Sequence, residues 1–203
     1  MTKAATNTLP LFGLEINPPL KSITLGIVSD THIPDRTPEL HPGLLASFRE
    51  AQVHAILHAG DICVPGVLKT LEQIAPVYAV QGNRDFFRMR NLPLRRNLQF
   101  AGTTIGLVHS HGQIKENLIE GLRMIRYGLQ LDFYYQRTLS SFPSSNVVVF
   151  GHIHYPVNEW INGQLLFNPG SACSYDHSKS RPSAGLLHLH PEGIIYGEII
   201  YLG

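Results

Sequence analysis

Five short segments of the sequence place carboxylate, amide or imidazole side chains directly after an apolar run. They are Asp30-Thr31-His32, Gly60-Asp61, Gly82-Asn83-Arg84-Asp85, His109-Ser110-His111-Gly112 and Gly151-His152-Ile153-His154. Mixed oxygen and nitrogen donors without cysteine suit Mn, Fe or Zn, and they argue against a calcium site or a thiolate zinc site. Such a donor set exceeds the needs of one tetrahedral ion and suits two ions about 3.5–4 Å apart. The candidate ligands are Asp30, His32, Asp61, Asn83, His109, His152 and His154.

The apolar runs before these segments predict the strands that position them. Each run is rich in Val and Ile and apolar nearly throughout, which is typical of strands buried on both faces. Helical patterns at 41–51, 64–75 and 113–139 alternate with them, so we expect parallel pairing with helical crossovers. Ligands bind at the carboxyl edge of such sheets. The runs are 23–32, 53–61, 76–85, 103–112 and 146–154.

Spacing within two of the segments predicts how ligands are paired. In extended backbone, residues two apart point to the same side, so Asp30 with His32, and His152 with His154, can each present two ligands. Glycine precedes several candidate ligands and allows a sharp turn and close approach of other groups. The strand ends therefore act as rigid supports for metal ligands.

After His154 the sequence pattern changes from alternating strands and helices to strands alone. Asn162-Gly163 between two apolar runs predicts a hairpin, and a second hairpin is expected to turn at Pro191-Glu192-Gly193. Residues 85–97 are predicted to form a basic and aromatic loop. We interpret residues 1–20 as an N-terminal extension and 21–203 as a single α/β (α+β) domain, with no internal repeat.

Composition limits the classes of partner. The 203 residues carry a formal net charge of +1, and 43% are hydrophobic, so a globular chain is expected and a nucleic-acid partner is disfavoured. No apolar run approaches the roughly 18 residues of a membrane span, and Asn and Pro interrupt the N-terminal residues, unlike a secretory signal. Cys63 and Cys173 lack metal-type spacing and favour a reducing cytoplasm over a disulfide.

Taken in order, the five segments resemble the signature of the calcineurin-like metallophosphoesterases: D-x-H, G-D, G-N-x-D, H-x-H-G and G-H-x-H. The later Asn168-Pro169-Gly170-Ser171 and the stretches SDTHIPDR and LHAGDI resemble the small prokaryotic YfcE/MJ0936-like phosphodiesterase branch. The resemblance covers about Ile23 to Leu202. It implies a four-layer α/β/β/α sandwich of two sheets flanked by helices. Family members are often dimers or tetramers, so the resemblance also allows a homo-oligomer.

The resemblance implies how the ligands divide between two divalent ions, Mn²⁺ first and Fe, Zn or Ni as alternatives. Asp30, His32, Asp61 and His154 would surround one ion. Asp61, Asn83, His109 and His152 would surround the other, with Asp61 as the bridge. The implied reaction is hydrolysis of a phosphodiester, small or nucleotide-like, by a metal-bridging hydroxide. Asp61, Asn83 and His111 are the expected catalytic residues, and Asn83, Arg84 and His111 the expected substrate contacts.

One departure from the family bears on the substrate. Many family phosphatases carry a general-acid His where this chain has Arg84, and a guanidinium is a poor proton donor. This favours diesters with good leaving groups over monoesters. A phosphomonoesterase stays open, as does a non-catalytic scaffold like the retromer subunit, although every ligand position here keeps a competent donor.

Residues next to the candidate ligands in sequence are predicted to have structural roles. Asp85 is predicted to orient the metal-binding loop, and His58 to be a hydrogen-bonded core residue. For the adjacent Phe86 and Phe87, packing in the core is favoured over stacking on a base.

Overall fold

The structure is a computed structural model that describes residues 21–111, 131–173 and 181–203. Helices and strands alternate in its first half, and strands dominate the second. The elements are β1 (Ile23–Val28), α1 (Pro42–Glu50), β2 (Ala55–His58), α2 (Pro65–Leu71), β3 (Val77–Ala79), β4 (Arg95–Phe100), β5 (Thr103–Val108), α3 (Leu131–Ser140), β6 (Val147–Val149), β7 (Val157–Ile161), β8 (Gln164–Asn168), β9 (Ser183–Leu189) and β10 (Ile195–Tyr201).

The strands form two five-stranded mixed sheets. The first has the order β10-β9-β1-β2-β3 and the second β4-β5-β6-β8-β7. β1, β2 and β3 pair in parallel, as do β5, β6 and β8, whereas the remaining neighbours are antiparallel. The predicted parallel pairing is therefore confirmed within each sheet. The five apolar runs, however, are divided between the two sheets.

Alternating strand residues build three apolar layers. Leu25 and Ile27 of β1 pack between the sheets with residues of β5 and β6. Val28 faces the opposite way and packs with α1 and α2, and Val148 of β6 packs under α3. Because residues two apart share a face, each central strand serves two layers at once. Two sheets between helical layers confirm the expected four-layer sandwich.

The two crossover helices begin at prolines. Pro42 and Pro65 occupy the first turns, where the missing N–H costs nothing. His41 Nδ1 caps α1 by accepting the N–H of Gly43 at 3.1 Å. Leu44 and Phe48, four residues apart, are buried on one face of α1. Of the helix predicted over 113–139, residues 131–139 are helical within α3, and residues 112–130 lie outside the described ranges.

Both predicted hairpins are confirmed. Asn162 and Gly163 have φ of 50° and 81° between β7 and β8, the left-handed pair that a tight hairpin needs. β9 and β10 pair antiparallel, and the predicted second turn lies between them, with His190 N–H donating to Ile194 O at 2.9 Å.

The loop predicted over residues 85–97 is wrong for its last three residues, which belong to a strand. Arg95 begins β4, an edge strand that pairs with β5 through a turn at Ala101 and Gly102. Exposed and half-buried residues alternate along β4. Because the strand contains several polar residues, it lacks the continuous apolar run by which the other strands were predicted.

The predicted N-terminal extension, residues 1–20, lies outside the described ranges. Within those ranges, no helix is both long and apolar enough to cross a bilayer. Cys63 and Cys173 are both buried, and they are not joined in a disulfide.

Candidate metal centre

The loops after five strands meet at one end of the two sheets. In the first sheet, Asp30 N–H donates to Gly60 O and His32 N–H to Asp61 O, both at 3.0 Å, which holds the loops after β1 and β2 together. His152, after β6 of the second sheet, donates its N–H to Asp30 Oδ2 at 3.0 Å. The seven predicted ligands thus come from both sheets.

The backbone is left-handed at five of the seven predicted ligands, so the extended geometry predicted for Asp30 with His32, and for His152 with His154, is wrong. The φ angles are 55° at Asp30, 50° at His32, 56° at Asp61, 74° at His152 and 55° at His154. Such a conformation costs an L-residue on the order of 1–3 kcal/mol, and clusters of it mark sites where surrounding structure holds a chain in a functional shape.

A first group joins Asp30, His32 and His154. Asp30 Oδ1 lies 3.1 Å from His154 Nε2 and 3.7 Å from His32 Nε2. The two Nε2 atoms are themselves 3.1 Å apart. All three ligand atoms lie within 4.8 Å of one another, as three ligands of one ion would.

A second group joins Asp30, Asp61 and His109. His109 Nε2 is 3.5 Å from Asp61 Oδ1 and 3.1 Å from Asn83 Oδ1. Its other nitrogen, Nδ1, is 2.7 Å from the carbonyl oxygen of Ala59. That carbonyl can only accept, so the proton sits on Nδ1 and leaves the Nε2 lone pair for a metal.

Both aspartates face both groups. Asp30 belongs to each group, and Asp61 directs Oδ1 toward His109 and Oδ2 to a point 3.8 Å from His32 Nδ1. The position of Asp61 is compatible with the bridging role expected for it. Asp30, which belongs to both groups, is compatible with that role as well. The His152 ring lies 5.1 Å from the His109 ring, and the His111 ring lies 5.4 Å from the His109 ring.

The buried Oδ1 atom of Asp30 fits a cation. Among the described residues, Asp30 Oδ1 and His32 Nδ1 are buried without a hydrogen-bond partner. A buried carboxylate oxygen that receives no donor is costly, because desolvation is not repaid. Oxygen and imidazole donors converging on this point therefore fit divalent transition metals.

Protonation states favour metal binding as well. Burial lowers the pKa of His32 to about 3 and that of His109 to about 4, although Asp30 opposes the shift in both. Both imidazoles are thus neutral at pH 7 and keep a free lone pair. Burial alone would raise the pKa of Asp30, but His154 and His109 outweigh it and hold that pKa below its usual range. Burial and the nearby charge of Asp30 raise the pKa of Asp61 to about 6.

Asp85 orients two of the loops, the role predicted for it. Its Oδ1 accepts the N–H groups of Ile62 and Cys63 at 2.9 and 2.7 Å, and its Oδ2 accepts that of Gly82 at 2.8 Å. One buried carboxylate therefore clamps the loop after Asp61 to the loop that carries Asn83.

Other orienting residues escaped the sequence reasoning. Ser29 Oγ donates to Asp30 Oδ2 at 2.5 Å. Ser171 Oγ donates to the backbone oxygen of Asp30 at 2.9 Å, and Asn168 Nδ2 to that of Gly151 at 2.9 Å. The last two belong to the Asn-Pro-Gly-Ser segment, whose family resemblance was the available signal. No pattern pointed to Ser29.

Arginines form the rim of the centre. Arg84 donates its backbone N–H to Asp61 Oδ1 at 2.9 Å, and its guanidinium, 43% exposed, lies 3.8 Å from Asp35. Arg36, which was not predicted, has a guanidinium nitrogen 3.5 Å from His154 Nδ1. Two arginines therefore place positive charge next to the ligand groups, which favours an anionic substrate.

The expectation that Phe86 and Phe87 pack in the core is wrong. Their side chains are 58% and 83% exposed. Asp85 on one side and Met89 on the other are buried and fasten the loop. This alternation turns the two rings outward.

The fold and the ligand set define a metal-dependent phosphoesterase. The chain belongs to the calcineurin-like phosphoesterase superfamily, whose domain model matches residues 23–192. Membership implies a phosphoric ester hydrolase that uses divalent metal ions, in agreement with the two ligand groups.

Relatives agree with this assignment. The probable metallophosphoesterase of Methanothermobacter thermautotrophicus is 34% identical over 148 residues, 72% of this chain and 76% of that protein. Phosphodiesterase MJ0936 of Methanocaldococcus jannaschii is 27% identical over 160 residues, 74% of this chain and 85% of that protein. The structure of vacuolar protein sorting 29 from Cryptosporidium parvum aligns with a TM-score of 0.62 over 88% of this chain and 97% of that one, at 19% identity, which shows a shared fold.

Proposed function

We propose that this phosphoesterase is a dinuclear enzyme that hydrolyses phosphodiesters. The observation that carries the proposal is the buried Oδ1 of Asp30, which has the Nε2 atoms of His32, His109 and His154 within 4.0 Å. Asp61 completes the second of the two ligand groups. Two groups that share a carboxylate favour a pair of divalent ions, with Mn²⁺ as the first candidate.

The ions, when bound, would polarise the phosphate and lower the pKa of a water molecule enough to supply hydroxide near neutral pH. The chain's own residues hold the substrate. Asn83 is exposed at the edge of the second group and carries an amide that can donate to a phosphate oxygen. Arg84 and His111 add donors beside it, which stabilise charge as it develops on the phosphate.

The choice of a diester rests on Arg84. A guanidinium stays protonated, so it binds phosphate but gives no proton to a leaving group. Loss of a general acid costs roughly 10²- to 10⁴-fold, and this cost is greatest for poor leaving groups. The phosphodiesterase among the relatives supports the same choice.

The test compares two esters with a shared leaving group. Metal-stripped protein is assayed on bis(p-nitrophenyl) phosphate and on p-nitrophenyl phosphate, with and without Mn²⁺. We expect Mn²⁺-dependent turnover that favours the diester. Asp61→Asn should lose more than the roughly 10- to 100-fold typical of residues that only orient a metal ligand.

Glu198→Gln supplies the matched control, because Glu198 is a half-exposed carboxylate on β10 outside both ligand groups. Full activity of Asp61→Asn would refute the mechanism. Bound metal without turnover on either ester would instead favour the scaffold alternative, and a preference for the monoester would favour a phosphomonoesterase.

A further inference from the structure

A cavity of about 390 Å³ is lined by the chain that follows two of the predicted metal ligands, Asp61 and Asn83. Pro65, four residues after Asp61, forms one wall, and Phe87, four residues after Asn83, forms another. Both walls therefore belong to segments that leave the metal centre directly. The volume falls within the range of about 300–1,000 Å³ typical of small-ligand sites. Leu92 adds apolar surface, whereas the polar lining comes from Arg88, Arg90 and Asn91.

Phe87 presents an aromatic face at this cavity from a well-anchored loop. Its side chain is 83% exposed, and the neighbouring Phe86 ring packs edge-on against it at 5.2 Å. Met89 is buried, its N–H donates to Asp85 O at 2.8 Å, and its carbonyl accepts Gln81 Nε2 at 3.2 Å. The exposed rings thus sit on a fixed support. A fixed exposed ring is the arrangement that proteins use to stack on a base.

Paired charges connect the cavity to the metal centre. Arg88, which lines the cavity, donates to Asp35 Oδ1 at 3.2 Å, and Arg84 faces Asp35 Oδ2 at 3.8 Å. One carboxylate is therefore shared by two guanidinium groups, which leaves excess positive charge between the cavity and Asp61. The three residues from Arg84 to Phe87 can span at most about 11 Å. Cavity and metal centre are thus close enough for one nucleotide to contact both.

We propose that this cavity binds the aromatic base of a nucleotide-type phosphodiester. The base stacks on Phe87, the amide of Asn91 hydrogen-bonds to its edge, and the phosphate extends past Arg84 to the metal centre. Stacking of a base on Phe87 explains why this apolar side chain is exposed. The arginines around the cavity favour an anionic ligand. The inference rests on the proposed phosphodiesterase activity, whose substrate class it names.

The test uses two diesters with the same leaving group: the p-nitrophenyl ester of thymidine monophosphate and methyl p-nitrophenyl phosphate. Wild-type protein with Mn²⁺ should have the lower KM for the thymidine ester. Phe87→Ala should raise that KM roughly 5- to 150-fold relative to the KM for the methyl ester, since a stacked base contributes that much binding. Trp160→Ala, which removes a ring 57% exposed on β7, should leave the ratio of the two KM values as in wild type.

Calorimetric titration with thymidine monophosphate separates this inference from the proposed activity. If neither ester is hydrolysed, binding that Phe87→Ala weakens still supports the cavity, whereas absence of binding overturns it. An unchanged KM ratio in Phe87→Ala also overturns it. Light scattering gives the remaining check, because a dimer that Phe87→Ala dissociates would show that the ring contacts a second copy of the chain instead of a base.

Discussion

Two buried aspartates show how a metal ligand differs from a structural carboxylate. Asp85 receives three backbone N–H groups, so its charge is compensated by the chain itself. Asp30 receives donors on Oδ2 only, while Oδ1 faces three histidine nitrogens and its backbone is left-handed. Asp30 therefore carries a buried charge that the chain compensates only in part and that a bound cation would offset.

His58 illustrates a histidine that supports the centre without belonging to it. It is fully buried, its Nδ1 accepts Gly60 N–H at 3.2 Å, and its Nε2 lies 3.3 Å from Thr31 Oγ1. Its hydrogen bonds hold the loops after β1 and β2. Burial lowers the pKa of His58 to about 3, despite the opposing charge of Asp30.

His58→Gln should therefore change how stability depends on pH. Between pH 6.5 and 3 the unfolded chain binds a proton at His58 and the folded chain does not, so folding weakens as pH falls. The Gln variant has no titrating group at this position, so it does not lose this part of its folding stability as pH falls. We expect the free energy of unfolding of wild type, relative to His58→Gln, to drop by about 2 kcal/mol from pH 6.5 to pH 5.

Urea unfolding of both proteins at each pH, in chelator, measures this difference. The histidines present in both proteins contribute equally to the two free energies of unfolding, so their contributions cancel in the difference. A stability gap that stays constant with pH would show that His58 is protonated in the folded state or reaches solvent.

At the scale of elements, close contact between loops shapes the centre. A Cβ on Gly82 would overlap both Oδ1 and the backbone nitrogen of Asp61. Gly82→Ala should thus push the loop after β3 away from Asp61. We expect a loss of about 1–3 kcal/mol of stability and a metal affinity lower by roughly 10- to 100-fold, measured by urea unfolding and by calorimetric titration with Mn²⁺.

Gly66→Ala is the matched control for this substitution. Gly66 lies in the first turn of α2, and a Cβ there would meet nothing within 4 Å. Alanine at that position should be neutral or stabilise by up to about 1 kcal/mol. Equal effects of the two substitutions would mean that the approach of Gly82 to Asp61 has no role in metal binding.

The elements also show what the sequence could predict. Apolar runs that end in ligand residues identify the strands and the edge where the ligands gather, because burial on both faces leaves a plain signal. The left-handed backbone of residues such as His32 leaves none, since it arises from contacts between loops. β4 was missed because Arg95 and Arg96 belong to an edge strand with solvent on one side. The exposure of Phe87 follows from its anchored neighbours, not from its own apolar character.

At the scale of the whole molecule, the centre joins the two sheets. Asp30, His32 and Asp61 follow strands of the first sheet, whereas His109 and His154 follow strands of the second. Between the sheets the contacts are mainly apolar side chains. Ions held by ligands from both sheets would therefore fasten one end of the sandwich and stabilise only the folded chain.

Removal of metal should consequently lower the thermal stability of the whole domain. At a metal concentration about 100 times Kd, binding contributes about 2.7 kcal/mol. For a domain of this size, that corresponds to a fall in Tm of roughly 5–10 °C on adding EDTA. Asp30→Asn, which removes the carboxylate common to both ligand groups, should show almost no response to EDTA. Hydrogen exchange should speed up at the carboxyl ends of both β1 and β6. Faster exchange in one sheet alone, or a Tm insensitive to EDTA while activity still depends on Mn²⁺, would contradict a centre shared between the sheets.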